Sequence, residues 1–227
     1  MNKKIFLVLS VAFLTACYAQ AQFTFGVRAG LNITNVSVKD ETMNEAFNLK
    51  KRHSFQIGIV GEFGDNFAIQ PGILFVSHGY KAGPTDFDMS DTRGWEEIVT
   101  VNINYLQIPV NAQYKIYFGD IALLFQAGPY FGFAVGGKKT TEYRLNGNPA
   151  VKEKTGLAFG SKEDQLNPID LGLSLGIAVQ LNAIQIGLGY KIGLLDMNNN
   201  DEVSKYNFGT SMYNRGLSIT ATYYFGK

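Results

Sequence analysis

The chain has 227 residues and 20 Lys and Arg against 19 Asp and Glu, a formal charge of +1, with no basic concentration of the kind a nucleic-acid surface needs. Its one cysteine, Cys17, excludes disulfides and cysteine metal sites. No apolar run reaches the roughly 20 residues of a transmembrane helix.

Lys3 and Lys4 precede the apolar run from Ile5 to Ala16, and Ala19-Gln20-Ala21 follows with small-x-small spacing. This is the pattern of a secretory signal cut between Ala21 and Gln22. Residues 1–21 are therefore expected to be a signal peptide and 22–227 one domain, with 18 basic and 19 acidic residues once Lys3 and Lys4 are removed. Leu14-Thr15-Ala16-Cys17 also resembles a lipobox, which would lipidate Cys17. Cleavage after Ala21 is preferred because strand-like alternation starts at Phe23, leaving no spacer for a tethered lipoprotein.

Eight strands are expected, each alternating large apolar with small or polar residues, which places the two sets on opposite faces. They run over 23–36, 54–63, 67–79, 98–117, 121–137, 169–181, 184–194 and 216–225. The sixth is the cleanest: Ile169, Leu171, Leu173, Leu175, Ile177 and Val179 alternate with Asp170, Gly172, Ser174, Gly176, Ala178 and Gln180. The fourth changes phase, from Val101, Ile103 and Tyr105 to Leu106, Ile108 and Val110, which predicts a β-bulge near Tyr105, with Pro109 close by. Gly64-Asp65-Asn66, Phe118-Gly119-Asp120 and Asn182-Ala183 are tight turns; the other four connections are long. Asn146-Gly147 inside the third long connection is a hairpin signal that would extend its strands beyond the membrane.

Alternating short and long connections predict an all-β, eight-stranded antiparallel up-and-down transmembrane β-barrel, with short periplasmic turns and long extracellular loops. A barrel of this size has little interior room, so the bulky face must meet lipid and the Gly-rich face must fill the inside. Arg28, Glu62, Lys115, Asp170 and Lys191 then become interior charges, expected to form a filled ion-pair and hydrogen-bond network rather than a pore. Phe23, Phe63, Phe67, Tyr117, Phe118, Tyr223 and Phe225 are expected in a periplasmic aromatic girdle, and Tyr80, Trp95 and Tyr105 in an external one.

No residue is assigned a catalytic, cofactor or metal role. His53 and His78 are the only histidines, with Ser54 and Ser77 beside them on the opposite strand face, and both are expected at the external rim. Asp196-x-Asn198-x-Asn200-Asp201 opens like a calcium loop but has Asp201 where Gly is required. Asp86, Asp88 and Asp91 form a looser acidic cluster. Lys138, Lys139, Lys152, Glu153 and Lys154 read as solvated loop charge, with contact to lipopolysaccharide phosphates as the second reading.

Several segments together resemble the PorT-type outer-membrane β-barrel family. They are Ala21-Gln22-Phe23-Thr24-Phe25-Gly26-Val27-Arg28-Ala29-Gly30-Leu31-Asn32, Gln70-Pro71-Gly72-Ile73-Leu74-Phe75 with Gly79-Tyr80, Asn104-Tyr105-Leu106-Gln107-Ile108-Pro109-Val110, Ala127-Gly128-Pro129-Tyr130, and Asp170-Leu171-Gly172-Leu173. The resemblance covers essentially the whole expected mature chain and implies an eight-stranded outer-membrane barrel without catalytic motifs. Its eponymous member is associated with secretion across the outer membrane. The terminal aromatic that such barrels present to the insertion machinery would be Phe225, with Tyr223, here followed by Gly226 and Lys227. The expected role is non-enzymatic and structural, or interaction through external loops. An accessory role in secretion or transport is the alternative, and a lipid A- or peptide-modifying enzyme a remote third. Expected partners are outer-membrane lipid and lipopolysaccharide, the barrel-assembly machinery during insertion, and a protein at the loops, with no cofactor and no nucleic acid.

Overall fold

The computed structural model describes residues 23–38, 49–83, 95–146, 148–160, 165–197 and 211–226. The signal segment, including Cys17, Ala21 and Gln22, lies outside them, as do Asp86, Asp88 and Asp91. Ten strands form: β1 (Phe23–Val38), β2 (Leu49–Lys50), β3 (Arg52–Gly64), β4 (Phe67–Ala82), β5 (Trp95–Phe118), β6 (Ile121–Leu145), β7 (Asn148–Gly156), β8 (Ile169–Leu181), β9 (Ile184–Gly193) and β10 (Met212–Phe225). Eight of them close a ring of antiparallel pairs in the order β1, β3, β4, β5, β6, β8, β9, β10 and back to β1. Closure leaves the ring without a free edge, so every strand can satisfy its backbone inside a bilayer.

The register staggers steadily around the ring. Phe23 pairs with Phe63, Phe63 with Ile69, Ile69 with Ala112, Ala112 with Ala127, Ala127 with Leu175, Leu175 with Tyr190, and Tyr190 with Leu217. Leu217 pairs with Ile33, so one circuit returns to β1 ten residues further on. Such a shear forces the strands to tilt and leaves a narrow interior that side chains can fill. β3–β4, β5–β6 and β8–β9 are joined by two-residue turns at one end of the barrel. The backbone turns through left-handed conformations at Gly119 (φ 63°) and Asn182 (φ 50°), which Gly and Asn tolerate best. The longer connections lie at the opposite, loop end.

The bulky face is on the outside. Along β8, Leu173, Leu175, Ile177 and Val179 are about half exposed, while Asp170, Ala178 and Gln180 between them are buried. Each such apolar side chain left in water instead of lipid would cost on the order of 1 kcal/mol. Repeated around the ring, this excludes an aqueous wall. Aromatic pairs mark the turn end: Phe23 on Phe63, Phe67 on Tyr114 and Phe25 on Phe225, with ring centroids 4.7, 4.8 and 5.7 Å apart. The external girdle is not formed as expected. Tyr105 is buried inside the barrel, and Tyr80 packs inward on an apolar cluster; the Trp95 side chain lies outside the described set.

Two expectations about phase and interior are corrected together. β5 keeps one phase throughout: Val101, Ile103, Tyr105, Gln107, Asn111, Gln113 and Lys115 are all buried. The apparent slip arises because the interior changes chemistry. Towards the loop end it is apolar, a cluster of Val36, Val38, Val101, Ile103, Met197 and Met212 among others, rather than polar along its whole length. An irregularity does exist at this level, but on the partner strand. Asn104 pairs with Gly136 and Tyr105 with Ala134, leaving Val135 of β6 as the extra residue. Beyond it β6 runs on to Leu145, turns at Asn146 (φ 50°) and returns as β7, the hairpin that Asn146-Gly147 signals.

Candidate functional site

The barrel interior is built in storeys. Nearest the turns, Lys115 Nζ donates to Glu62 Oε1 at 2.5 Å with both side chains buried. Tyr224 and Arg28 also face Glu62. Arg28 donates through Nε to Thr222 Oγ1 and through Nη2 to Gln70 Oε1, both at 2.8 Å. Gln70 donates to the Tyr224 hydroxyl at 2.5 Å, and that hydroxyl donates to Gln185 Oε1 at 2.9 Å. These residues meet because inward positions of β1, β3, β4, β5, β9 and β10 converge across a narrow lumen. A charge removed from water is tolerated only when paired and hydrogen-bonded in this way.

In the middle storey, Lys191 Nζ donates to Gln107 Oε1 at 2.5 Å and Gln56 Oε1 at 3.1 Å, and lies 5.9 Å from the Tyr130 ring centroid. Asp170 faces Lys191, Tyr130 and Asn214. A void of about 30 Å³ beside Arg28, Asn111, Tyr130, Ser174 and Lys191 leaves room for about one water. Above it the described inward side chains form the apolar cluster. Arg28, Glu62, Lys115, Asp170 and Lys191 are thus all buried in the lumen, at 8% exposure or less. Glu62–Lys115 forms a direct ion pair, whereas Arg28 and Lys191 are held mainly by amides and hydroxyls. Sequence reasoning did not assign that role to Gln56, Gln70 and Gln107, nor to Gln185, which accepts from Tyr224. Their signal was glutamine recurring on inward strand positions, where no surface requires it.

The histidines do not share a rim. His53 is exposed near the loop end of β3. His78 is 1% exposed, on an inward position of β4, with its ring edge-on to Tyr105 at 5.8 Å. The loop end of β4 is drawn inward there: the Thr34 hydroxyl donates to the Gly79 carbonyl at 2.8 Å, and Ser54 Oγ to the Ser77 carbonyl at 2.6 Å. The rim expectation therefore fails for His78. Asp196 accepts the Met212 N–H at 2.9 Å and ties the β9–β10 connection down; Asn198, Asn200 and Asp201 lie outside the described residues. Among the described residues no three His, Cys, Asp or Glu side chains group as metal ligands. Tyr223 and Phe225 project outward, each 49% exposed, with their rings edge to face at 5.3 Å.

Beyond Val135 the wall continues past the ring as part of β4, β5, β6 and β7. Lys81 is in register with Thr100, Thr100 with Thr140, and Thr140 with Lys154. Glu142, one position along the same face, accepts from Arg144 Nε at 2.6 Å and lies 3.8 Å from Lys152. The Arg144 hydrogen bond, joined by the charges of Arg144, Lys152 and Lys81, holds the Glu142 carboxyl below the usual carboxylate range. On the other face, the Glu97 carboxylate pushes the Tyr143 phenol up. The sequence singled out Lys138, Lys139, Lys152, Glu153 and Lys154 as loop residues; the structure makes them strand residues and adds Lys81 and Arg144.

The family model of the outer membrane protein beta-barrel domain matches residues 18–199. No curated protein matches the chain. Among solved structures, Ail, the attachment invasion locus protein of Yersinia pestis, in complex with the heparin analogue sucrose octasulfate, is 12% identical, with 89% of this chain and 99% of that chain covered and a TM-score of 0.41. Neisserial surface protein A is 12% identical over 88% and 96% at a TM-score of 0.43. A major outer membrane protein of Thermus thermophilus is 12% identical over 90% and 100% at 0.41. The family match spans most of the chain and agrees with a closed, lipid-facing ring: the chain belongs to the family of bacterial outer membrane proteins built on this β-barrel domain.

Proposed function

We propose that the protein is a non-enzymatic outer-membrane barrel that acts through its external surface rather than through its lumen. The observation that carries this reading is the filled middle of the lumen among the described residues: a cavity of about 330 Å³ opens at the turn-end mouth beside Thr24, Lys115 and Gln180, but further in a buried ion pair, amide-held cations and an apolar cluster surround a void of about 30 Å³. Burial of His78 keeps that ring from an external lipid or peptide. The surface available for contact is the β5–β6–β7 extension together with the loops, and a protein partner there belongs to the same reading. So do secretion through a signal cleaved between Ala21 and Gln22, and insertion guided by Tyr223 and Phe225. Within the family, the Tyr105-Leu106-Gln107-Ile108-Pro109 element supports a PorT-type affiliation.

Planar-bilayer recording of the purified barrel, folded by the criterion of a mobility shift between unboiled and boiled samples, tests the proposal. No stable conductance step is expected under applied voltage. A reproducible open channel would overturn the reading in favour of a small pore.

A further inference from the structure

The bulge at Val135 sorts charge between the two faces of the extension. Because one residue is unpaired there, Lys138, Thr140, Glu142 and Arg144 continue the face that carries Phe131 and Phe133 lower down, while Lys139, Thr141 and Tyr143 turn to the lumen side. Register carries the same outward face onto Lys81, Lys152 and Lys154 of the neighbouring strands. That face therefore holds Lys81, Lys138, Arg144, Lys152 and Lys154 against Glu96 and Glu142. The lumen-side face holds Lys139 against Glu97 and Glu153. Cations are in excess only on the face that prolongs the lipid-facing wall.

Height above the apolar band identifies the partner. Val135 is the last outward apolar side chain of β6, about half exposed. Lys138 follows three residues later, about 10 Å along a strand whose tilt reduces the rise. That is the headgroup layer of the outer leaflet. Glu142 is already engaged by Arg144 and Lys152, whereas Lys138 and Lys154 face outward beside threonine and asparagine. The geometry points to a docking face for the phosphates of an anionic outer-leaflet glycolipid, with Lys81, Lys138 and Lys154 as its inner contacts and the Glu142–Arg144–Lys152 cluster above them. This deepens the proposal of an externally acting barrel by naming the chemistry of one partner.

The test uses the full chain in nanodiscs, with bisphosphorylated lipid A or its dephosphorylated form as the probe, and bound glycolipid quantified by native mass spectrometry. Wild type is expected to retain the phosphorylated form in preference. The Lys138→Glu/Lys154→Glu variant should lose about tenfold or more of that affinity, since each cation near a charged surface contributes about a factor of five. Lys139→Glu, on the opposite face, should retain it. The unboiled-versus-boiled gel shift certifies that each variant is folded. Equal retention of both lipids, equal loss in Lys139→Glu, or equal competition by soluble polyphosphate would each overturn the inference. A conductance-free barrel with no phosphate preference would leave the externally acting barrel standing and remove only this face from it.

Discussion

At the scale of the residue, the interior depends on who holds each charge. Glu62 and Lys115 are buried together at 2.5 Å, so removing the Glu62 carboxylate leaves the Lys115 cation buried without its ion-pair partner. Glu62→Gln is expected to destabilise the barrel by about 3–5 kcal/mol. Glu62→Gln/Lys115→Met should cost much less than the two single changes added together. Urea unfolding in detergent micelles, followed by the gel-shift band, measures both. Arg28 and Lys191 illustrate what residue-level reading leaves open. Alternation marked both as inward, but the amides that hold them come from three other strands, 42 residues away for Gln70 and 135 for Gln56. No local pattern connects such positions.

At the scale of the element, the bulge decides which side chains meet the outside. Single-cysteine substitutions report this directly. Thr140→Cys should react with a membrane-impermeant thiol reagent on whole cells, and Thr141→Cys, 8% exposed, should react slowly. Deleting Val135 leaves Ala134 opposite Tyr105 and Gly136 opposite Asn104 as consecutive residues, so both reactivities should persist; an exchange would mean that the strand re-registers instead of simply losing its unpaired residue. The phase change in β5 shows why sequence found this bulge at the level of Tyr105 but assigned it to β5 instead of β6. Ile103 and Leu106 are both apolar, yet Ile103 packs in the lumen and Leu106 meets lipid. Alternation reports hydrophobicity and not direction, so an apolar plug inside an apolar wall imitates a slip. The Asn146-Gly147 signal, by contrast, depends only on backbone conformation and located the hairpin turn correctly.

At the scale of the whole molecule, ring and extension are separable. Closure uses β1, β3, β4, β5, β6, β8, β9 and β10, and β7 pairs only with β6. Replacing residues 141–153 with Asn-Gly should therefore leave the heat-modifiable band and its urea midpoint close to wild type. Loss of the folded band would show that the extension helps close the barrel. The same separation suits a molecule whose wall is specified by lipid while its contacts are specified outside the membrane.

The sequence by itself determined the architecture, because a bilayer imposes two conditions that are both local. Every strand must alternate, and every second connection must be a tight turn; Leu173 to Val179 and the turns at Gly119 and Asn182 meet them without reference to the rest of the chain. Which side chains meet across the lumen, that His78 is sealed while His53 is exposed, and that the cations of the extension gather on the lipid side were decided by the tertiary structure alone. Each depends on shear and on one unpaired residue, and these exist only once the ring is closed.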